Sequence, residues 1–194
     1  MKFPAIYLAS GSPRRSELLS QIGVNFEKLS LDVDETVLEG ETALAYVERV
    51  AILKAKAGWQ NLINESKQKR PVLGADTSVV INGVILGKPT DKENAKIMLK
   101  QLSGVEHKVM TSIAVHYHDR LLSQVKVNTV KFAQLSDDDI NWYLSTGEGV
   151  DKAGGYAVQG LAAIFIEQIK GSYSGIMGLP LKETADLLRQ VNDD

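Results

Sequence analysis

The 194-residue sequence predicts an α/β fold in which a mixed β-sheet is flanked by helices. Short apolar runs typical of strands alternate with segments of helical periodicity, which indicates strand–helix units. Longer runs that alternate apolar and polar side chains around tight turns indicate antiparallel hairpins in the same sheet. The sequence is 44% hydrophobic and has no internal repeat or low-complexity linker. We therefore expect a single domain over residues 1–194, built as one unit or as two closely packed lobes.

The first elements form a strand–loop–helix unit. Residues Ile6 to Ala9 are an apolar strand that leads into a loop of serine and glycine. Ser12 is a favourable N-cap, Pro13 suits the first helical position and Gly23 suits the end of the helix.

The elements after this unit are predicted from periodicity and turn signals. In chain order they are a strand in NFEKLSLDVDE (residues 25–35), a helix from Ala43 to about Gly58, a polar loop at 64–70, and a hairpin from Pro71 that turns at Asn82–Gly83. Next come a helix that begins with a capping box of Thr90 and Glu93 and ends near Gly104, and a long hairpin that turns at His118–Asp119. The last are a short helix capped by Ser136 with Asp139 and closed by Gly147, the glycine-rich loop DKAGGYAVQG, a buried strand in LAAIFIEQI, and a helix from Pro180 to Val191.

Composition argues against several classes of protein. The net charge of −2 disfavours a nucleic-acid or anionic-membrane partner, and the lack of cysteine excludes disulfides, thiolate nucleophiles and thiolate metal sites. No apolar run approaches the roughly 20 residues of a membrane span. The N-terminal stretch MKFPAIYLAS lacks the pattern of a signal peptide, so we expect a cytoplasmic protein.

The opening loop contains two cations in an unfavourable place. Arg14 and Arg15 fall in the first turn of the first helix, where the helix dipole favours anions. Ser10 and Ser12 can offer hydroxyl and backbone N–H donors at the same point, so the loop resembles a phosphate cradle. The alternative is a pair of solvated arginines after an ordinary N-cap. The loop is not a Walker A motif, which occurs nowhere in the chain.

A second group of polar residues is predicted near the strand that contains LGADT. Asp76 is expected where this strand emerges, placed for metal coordination or general-base work, or else as a structural hydrogen-bond acceptor. Gly74 indicates close approach of another group. Lys54 falls on the apolar face of its helix and needs an anionic partner, such as Glu35, Asp76 or a ligand phosphate, unless its ammonium snorkels to solvent.

Weaker signals come from three other places. Lys88 lies in the rigid turn GKP, either as a positioned cation or as part of an ordinary polar turn. Glu35 follows Asp32 and Asp34, and this acidic cluster could bind a divalent cation or form a solvated loop. Gln159 in the glycine-rich loop could read a base edge, or the loop could be a simple connection.

The histidines carry less signal. His116 and His118 share a face near a hairpin tip, where an exposed loop is expected rather than a metal site. His107 shows no pattern, and no histidine is placed to form a Ser-His-Asp set.

Eight segments taken together resemble the Maf family of nucleoside triphosphate pyrophosphatases. They are LASGSPRR, DVDET, LKAKAG, LGADT, GKPTD, LSGVEHKVMT, DKAGGYAVQG and GSYSGIMGLPL, in the family's order from about Ile6 to Leu188. The resemblance implies a house-cleaning enzyme that hydrolyses a nucleoside triphosphate to the monophosphate and pyrophosphate with Mg²⁺ or Mn²⁺. It also implies an elongated fold similar to inosine triphosphatases, a central cleft between two lobes, and a homodimer.

The resemblance also assigns roles to residues. It places Ser10, Ser12, Arg14 and Arg15 in a phosphate-binding loop, and Glu35, Lys54, Asp76 and Lys88 in a polar cleft. Asp76 becomes the proton acceptor, and we expect Glu35 and Asp76 to hold the metal. Arg14, Thr77 and Gln159 match the specificity positions of the dTTP/UTP branch, whereas the 7-methyl-GTP branch has Trp, Gln and Glu. The rival hypothesis is a non-catalytic regulator that binds a nucleotide or nucleic acid in the same cleft.

Overall fold

The structure is a computed structural model that describes residues 3–191. Its strands are β1 (Ile6–Ala9), β2 (Phe26–Lys28), β3 (Val72–Ile81), β4 (Val84–Leu86), β5 (Glu106–Tyr117), β6 (Arg120–Phe132) and β7 (Ile166–Lys170). Its α-helices are α1 (Pro13–Gln21), α2 (Ala43–Asn64), α3 (Lys92–Leu102), α4 (Asp137–Thr146), α5 (Tyr173–Ile176) and α6 (Leu181–Gln190). The predicted α/β fold with a mixed sheet is confirmed. No helix within this range is both long and apolar enough to cross a membrane.

The sheet has an interruption along one edge of its central strand. The strand order is β2-β1-β3-β5-β6-β7, with β4 also paired to β3; β1 is parallel to β2 and β3, and the other pairs are antiparallel. One edge of β3 pairs with β5 continuously from Val72 to Val80. The opposite edge pairs with β1 only as far as Gly74 and with β4 only from Val79. Residues 75–78 therefore have no neighbouring strand on that edge within the described range 3–191.

Two hydrophobic cores meet the same face of β3. Side chains alternate between the faces of a strand, so positions 73, 75, 77 and 79 share one face. Leu73 and Ala75 belong to a core with β1, α1 and α6, whereas Val79 belongs to a core with α3, α4 and the segment before β7. Thr77 lies between them and places a hydroxyl where the two cores separate.

Helix α2 packs directly on the other face of β3. A Cβ added to Gly74 would lie 2.4 Å from the Ala51 carbonyl oxygen and 2.6 Å from the Ala55 nitrogen. The close approach that Gly74 predicts is thus that of the α2 backbone. The contact brings Lys54, which lies on the same helix, next to Asp76.

Three predicted boundaries are wrong. The second strand is limited to β2 because its partner β1 ends at Ala9, so residues 29–42 follow an irregular course. Helix α2 continues six residues past Gly58, which packs against the Val72 side chain. The cap of α3 is Asp91, whose Oδ1 accepts from the Asn94 nitrogen at 2.7 Å, and not Thr90.

The segment LAAIFIEQI does not form one buried strand. Leu161–Phe165 is a 3₁₀ helix, and only the residues after it form β7, the outermost strand beside β6. Ile164 is 69% exposed. The start of the 3₁₀ helix is held by the Glu148 carboxylate, which accepts from the Leu161 nitrogen at 2.8 Å.

The locally encoded turns and caps are confirmed. Asn82 and Gly83 have φ values of 50° and 80°, as a primed hairpin turn requires, and the long hairpin turns at His118, with φ 52°. Ser136 and Asp139 form the predicted capping box, and Gly147 ends α4 in the left-handed conformation.

Candidate active site

A cleft of about 990 Å³ opens at the interruption of the sheet. This volume lies at the upper end of the range for small-molecule sites. The cleft is lined by every residue predicted for the site: Ser10, Ser12, Arg14, Arg15, Glu35, Lys54, Asp76, Thr77, Lys88 and Gln159. These residues come from the loop after β1, the first turn of α1, the irregular segment before α2, α2 itself, β3, the turn after β4 and the glycine-rich loop.

Lys54 holds two carboxylates together at the cleft wall. Its Nζ lies 2.9 Å from Asp76 Oδ1 and 2.9 Å from Glu35 Oε1, so both carboxylates considered as partners contact it. The Lys54 side chain is 14% exposed, and the pairing satisfies an ammonium that burial would otherwise penalise. The snorkelling alternative is therefore wrong.

Asp76 lies in the middle of β3, not at the end of the strand. It is nevertheless accessible from the cleft, because the neighbouring strand β1 ends two register positions earlier, opposite Gly74. Burial raises the pKa of Asp76, while the charges of Lys54 and Arg15 oppose that shift. A buried carboxylate of raised pKa that contacts a cleft is a suitable proton acceptor.

Arg15 joins three parts of the cleft wall. Its Nη1 donates to Ser10 Oγ at 2.9 Å, its Nε to the Gly178 carbonyl oxygen at 2.9 Å, and its Nη2 to Thr77 Oγ1 at 3.2 Å. Burial lowers the pKa of Arg15, and the charge of Asp76 opposes this shift. A guanidinium has five N–H donors, so Arg15 can hold the wall and still donate to an anion.

The hydroxyl of Thr77 has a fixed direction. Thr111 Oγ1 donates to the Gly175 carbonyl oxygen at 2.7 Å, so in its 3.0 Å contact with Thr77 it is the acceptor. Thr77 therefore donates to Thr111 while it accepts from Arg15. Toward a ligand, the Thr77 oxygen can act only as an acceptor.

Two cations and two polar side chains of the cleft have no hydrogen-bond or ion-pair partner among residues 3–191. No hydrogen bond or ion pair within that range engages the charged ends of Arg14 and Lys88 or the amide of Gln159. Ser12 occupies the N-cap position of α1, but its side chain makes no capping hydrogen bond. These groups are available to a ligand, whereas Arg15 and Lys54 already contact other residues of the cleft wall.

Sequence reasoning missed two residues that line the cleft. Tyr46 donates from its hydroxyl to the Glu35 carbonyl oxygen at 3.0 Å, and burial together with the charges of Asp76 and Glu35 raises the pKa of Tyr46 to about 12. Glu148 accepts from the Tyr143 hydroxyl at 2.9 Å and holds the end of the loop that carries Gln159. The position of Tyr46 near Lys54 is predictable, because it lies eight residues, about two turns, before Lys54 on the same helix.

The histidines lie away from the cleft lining. His107 is buried in β5, and its Nε2 is 2.7 Å from the hydroxyl of Tyr156. His118 is exposed as expected, but His116 is half-buried against Trp59, with ring centroids 5.4 Å apart.

The sequence model of the Maf-like protein family matches residues 5–191. The chain belongs to the Maf family. Relatives within the family are highly similar over almost their whole length. The chain is 52% identical to the dTTP/UTP pyrophosphatase of Aromatoleum aromaticum, over 94% of this chain and 93% of that protein. It is 49% identical to those of Chromobacterium violaceum (95% and 93% coverage) and Pseudoalteromonas atlantica (96% and 97% coverage).

The Maf cleft of this chain also fits a divalent cation. No group of three or more histidine or acidic side chains within residues 3–191 is arranged to hold a metal ion by itself. Mg²⁺ is usually bound by one or two carboxylates together with substrate phosphates and water. Glu35 and Asp76, which converge on one ammonium, fit that smaller donor set.

Proposed function

We propose that this protein is a nucleoside triphosphate pyrophosphatase that hydrolyses dTTP and UTP to the nucleoside monophosphate and pyrophosphate. The proposal rests chiefly on one observation: a buried carboxylate of raised pKa lines the same cleft as Arg14 and Lys88, which no ion pair among residues 3–191 engages. The names of the highly similar relatives support the choice of dTTP and UTP.

The phosphates would lie between the loop after β1 and the turn after β4. Arg14 and Lys88 neutralise non-bridging oxygens, because no ion pair among residues 3–191 engages either of them. The free hydroxyl of Ser12 and the remaining N–H groups of Arg15 donate to the same anion. Both donors lie at the start of α1, where the helix dipole favours negative charge.

Asp76 accepts the proton from the attacking water, which is directed at the α-phosphorus. Lys54 keeps Asp76 ionised and correctly oriented through the 2.9 Å contact. We propose that Glu35 and Asp76 also hold Mg²⁺ or Mn²⁺, which when bound supplies positive charge for the leaving pyrophosphate. Departure of pyrophosphate completes the reaction, with the oxygen of the water on the monophosphate.

The base is selected at the opposite side of the cleft. The amide of Gln159 can donate and accept, which suits the neutral edge of uracil or thymine. The Thr77 oxygen can only accept, and it therefore suits a base N–H group. A cationic 7-methylguanine would gain from a carboxylate or a stacked tryptophan, and neither stands at these positions.

We also propose, from the family resemblance, that the protein is a homodimer, which sedimentation can test. From net charge, composition and the N-terminal stretch we propose a cytoplasmic location with no nucleic-acid or membrane partner.

A panel of triphosphates tests the proposed function. Pyrophosphate release would be measured for dTTP, UTP, GTP and 7-methyl-GTP, each with Mg²⁺ and with Mn²⁺. We expect dTTP and UTP to have much the highest kcat/KM. A preference for 7-methyl-GTP would contradict the assigned specificity, and binding without turnover of any triphosphate would favour the non-catalytic regulator.

A further inference from the structure

Glu35 is held in the cleft without the support of regular structure. It lies on residues 29–42, which form neither helix nor strand, and its side chain is 48% exposed. Fixing such residues costs backbone entropy, and no ladder of helix or strand hydrogen bonds offsets that cost here. Other contacts must therefore hold the chain where Glu35 meets Lys54.

The contacts come from two side chains of α2 that reach residues 35–41, here named the clamped segment. Tyr46 donates from its hydroxyl to the Glu35 carbonyl oxygen at 3.0 Å, and Arg49 Nη2 donates to the Thr36 carbonyl oxygen at 2.9 Å. Arg49 also forms a bidentate pair with Glu41, with distances of 2.6 Å from Nε to Oε1 and 2.9 Å from Nη2 to Oε2. One guanidinium thus bridges both ends of the clamped segment.

Two further contacts complete the arrangement. Glu41, whose side chain is 8% exposed, accepts from the Leu38 nitrogen at 3.0 Å, which closes the turn inside the clamped segment. The Arg49 guanidinium carbon lies 5.6 Å from the centroid of the Tyr46 ring, a distance suited to a cation–π contact.

We propose that Arg49 and Tyr46 are positioning residues that hold the Glu35 carboxylate opposite Lys54. The two clamping side chains and Lys54 belong to the same helix, so their spacing is fixed by its rise of about 1.5 Å per residue. Helix α2 therefore sets the position of Glu35 relative to Lys54 and Asp76. This inference rests on the proposed function, which gives Glu35 its role as a ligand of the divalent cation.

The replacement Arg49→Lys tests the clamp most sharply. Lysine keeps the charge but cannot form the bidentate pair with Glu41 while also donating to Thr36. Because small misplacements of groups at a reaction centre are costly, we expect kcat/KM for dTTP to fall roughly 10- to 100-fold. Tyr46→Phe, which removes only the donor to Glu35, should have a smaller effect in the same direction.

Arg70 supplies a matched control away from the cleft. Its Nη1 lies 2.5 Å from Glu27 Oε1, and its guanidinium lies 5.5 Å from the centroid of the Tyr7 ring. The side chains of Arg70 and Arg49 are similarly exposed, at 26% and 30%. Arg70→Lys should leave kcat/KM unchanged, and an equal loss in both variants would contradict a specific role for Arg49.

A double-mutant cycle separates positioning from general stability. If Arg49 acts through Glu35, Arg49→Lys should change kcat/KM by less than about 2-fold when Glu35→Gln is already present. The same fold-loss in both backgrounds would overturn the proposal.

A measurement without turnover separates this inference from the proposed function. Amide hydrogen exchange of the free protein should become faster at Leu38 in Arg49→Lys, while the amides of β3 stay protected. Unchanged exchange at Leu38 would contradict the clamp. If no triphosphate were hydrolysed by the unaltered protein, the proposed function would fail while this measurement still decided whether the clamp exists.

Discussion

Asp76 is subject to two opposing influences. Its burial penalises the ionised carboxylate, and the nearby charges of Lys54 and Arg15 favour it; the net effect raises the pKa of Asp76. The charge of Lys54 favours the ionised form, and the raised pKa makes that form a stronger proton acceptor. The pairing of base and cation at one residue is the chemical centre of the proposed mechanism.

Removal of the Asp76 carboxylate should stop turnover without preventing binding. Asp76→Asn keeps the shape of the side chain, but an amide cannot take up the proton from water. We expect kcat to fall roughly 100- to 10,000-fold, the range for loss of a general base. Steady-state kinetics and calorimetric titration with dTTP would measure the two properties, and near-normal turnover would refute the assignment.

The raised pKa of Asp76 should be measurable in the protein without a divalent cation. Burial raises the pKa of this carboxyl group, so it should be half-ionised at a pH above 3.8, the ordinary pKa of an aspartate. Carboxyl-carbon NMR titration of the metal-free protein measures the midpoint, and Asp76→Asn identifies the signal. A midpoint at or below 3.8 would show that burial does not control the group.

At single residues, sequence reasoning succeeds where a charge conflicts with its surroundings. Lys54 on an apolar helix face and Arg14 at a positive helix end both predict an anion, and the structure places both on the cleft. Glu148 and Thr111 give no such signal, because each acts through contacts with residues distant in sequence.

At the scale of the elements, α2 organises the site. It packs on β3 through Gly74, carries Lys54, and holds Glu35 through Tyr46 and Arg49. A single rigid helix therefore aligns groups from three separate parts of the chain.

The packing of α2 on β3 should be sensitive to one methyl group. In Gly74→Ala the new Cβ would lie 2.4 Å from the Ala51 carbonyl oxygen, and α2 would have to move. We expect the free energy of unfolding to fall by about 1–3 kcal/mol, as for other overpacked sites. Gly87→Ala is the control for denaturant unfolding, because nothing lies within 4 Å of its added Cβ; equal stability of the two variants would contradict close packing.

Elements with local signals are predicted well, and elements that depend on a distant partner are not. The capping box of Ser136 and the hairpin turn at Asn82–Gly83 are encoded within a few residues. The length of β2 depends on where β1 ends, and the 3₁₀ helix at Leu161–Phe165 depends on the Glu148 carboxylate. The apolar content of these two segments reveals neither the end of β1 nor the contact with Glu148.

At the scale of the whole molecule, the cleft arises from an incomplete sheet. After Ala9 the chain leaves β1 and enters α1, and β4 pairs with β3 only from Val79. One edge of β3 is therefore unpaired between these points, and Asp76 and Thr77, which lie on opposite faces of the strand, both line the cleft. The mixed sheet is predictable from the sequence, but this interruption is not, because it follows from the register of three strands.

Stability of the whole protein should depend on pH through His107. Burial lowers the pKa of His107 from 6.5 to about 4, so between these values the unfolded chain binds a proton that the folded protein does not. The contribution of His107 to the free energy of unfolding is therefore fully present above pH 6.5. It is lost as the pH drops toward 4, by about 3 kcal/mol in total. His107→Gln, which retains a partner for the Tyr156 hydroxyl, should reduce this dependence in urea unfolding at pH 7 and pH 4.5; an unchanged dependence would contradict it.

Hydrolysis of dTTP in heavy-oxygen water identifies the phosphorus atom that is attacked, which in the proposed mechanism is the α-phosphorus. Mass spectrometry of the products after a single turnover would locate the label. We expect the products to be dTMP and pyrophosphate, with the heavy oxygen in dTMP. Label in pyrophosphate, or release of dTDP and phosphate, would contradict it.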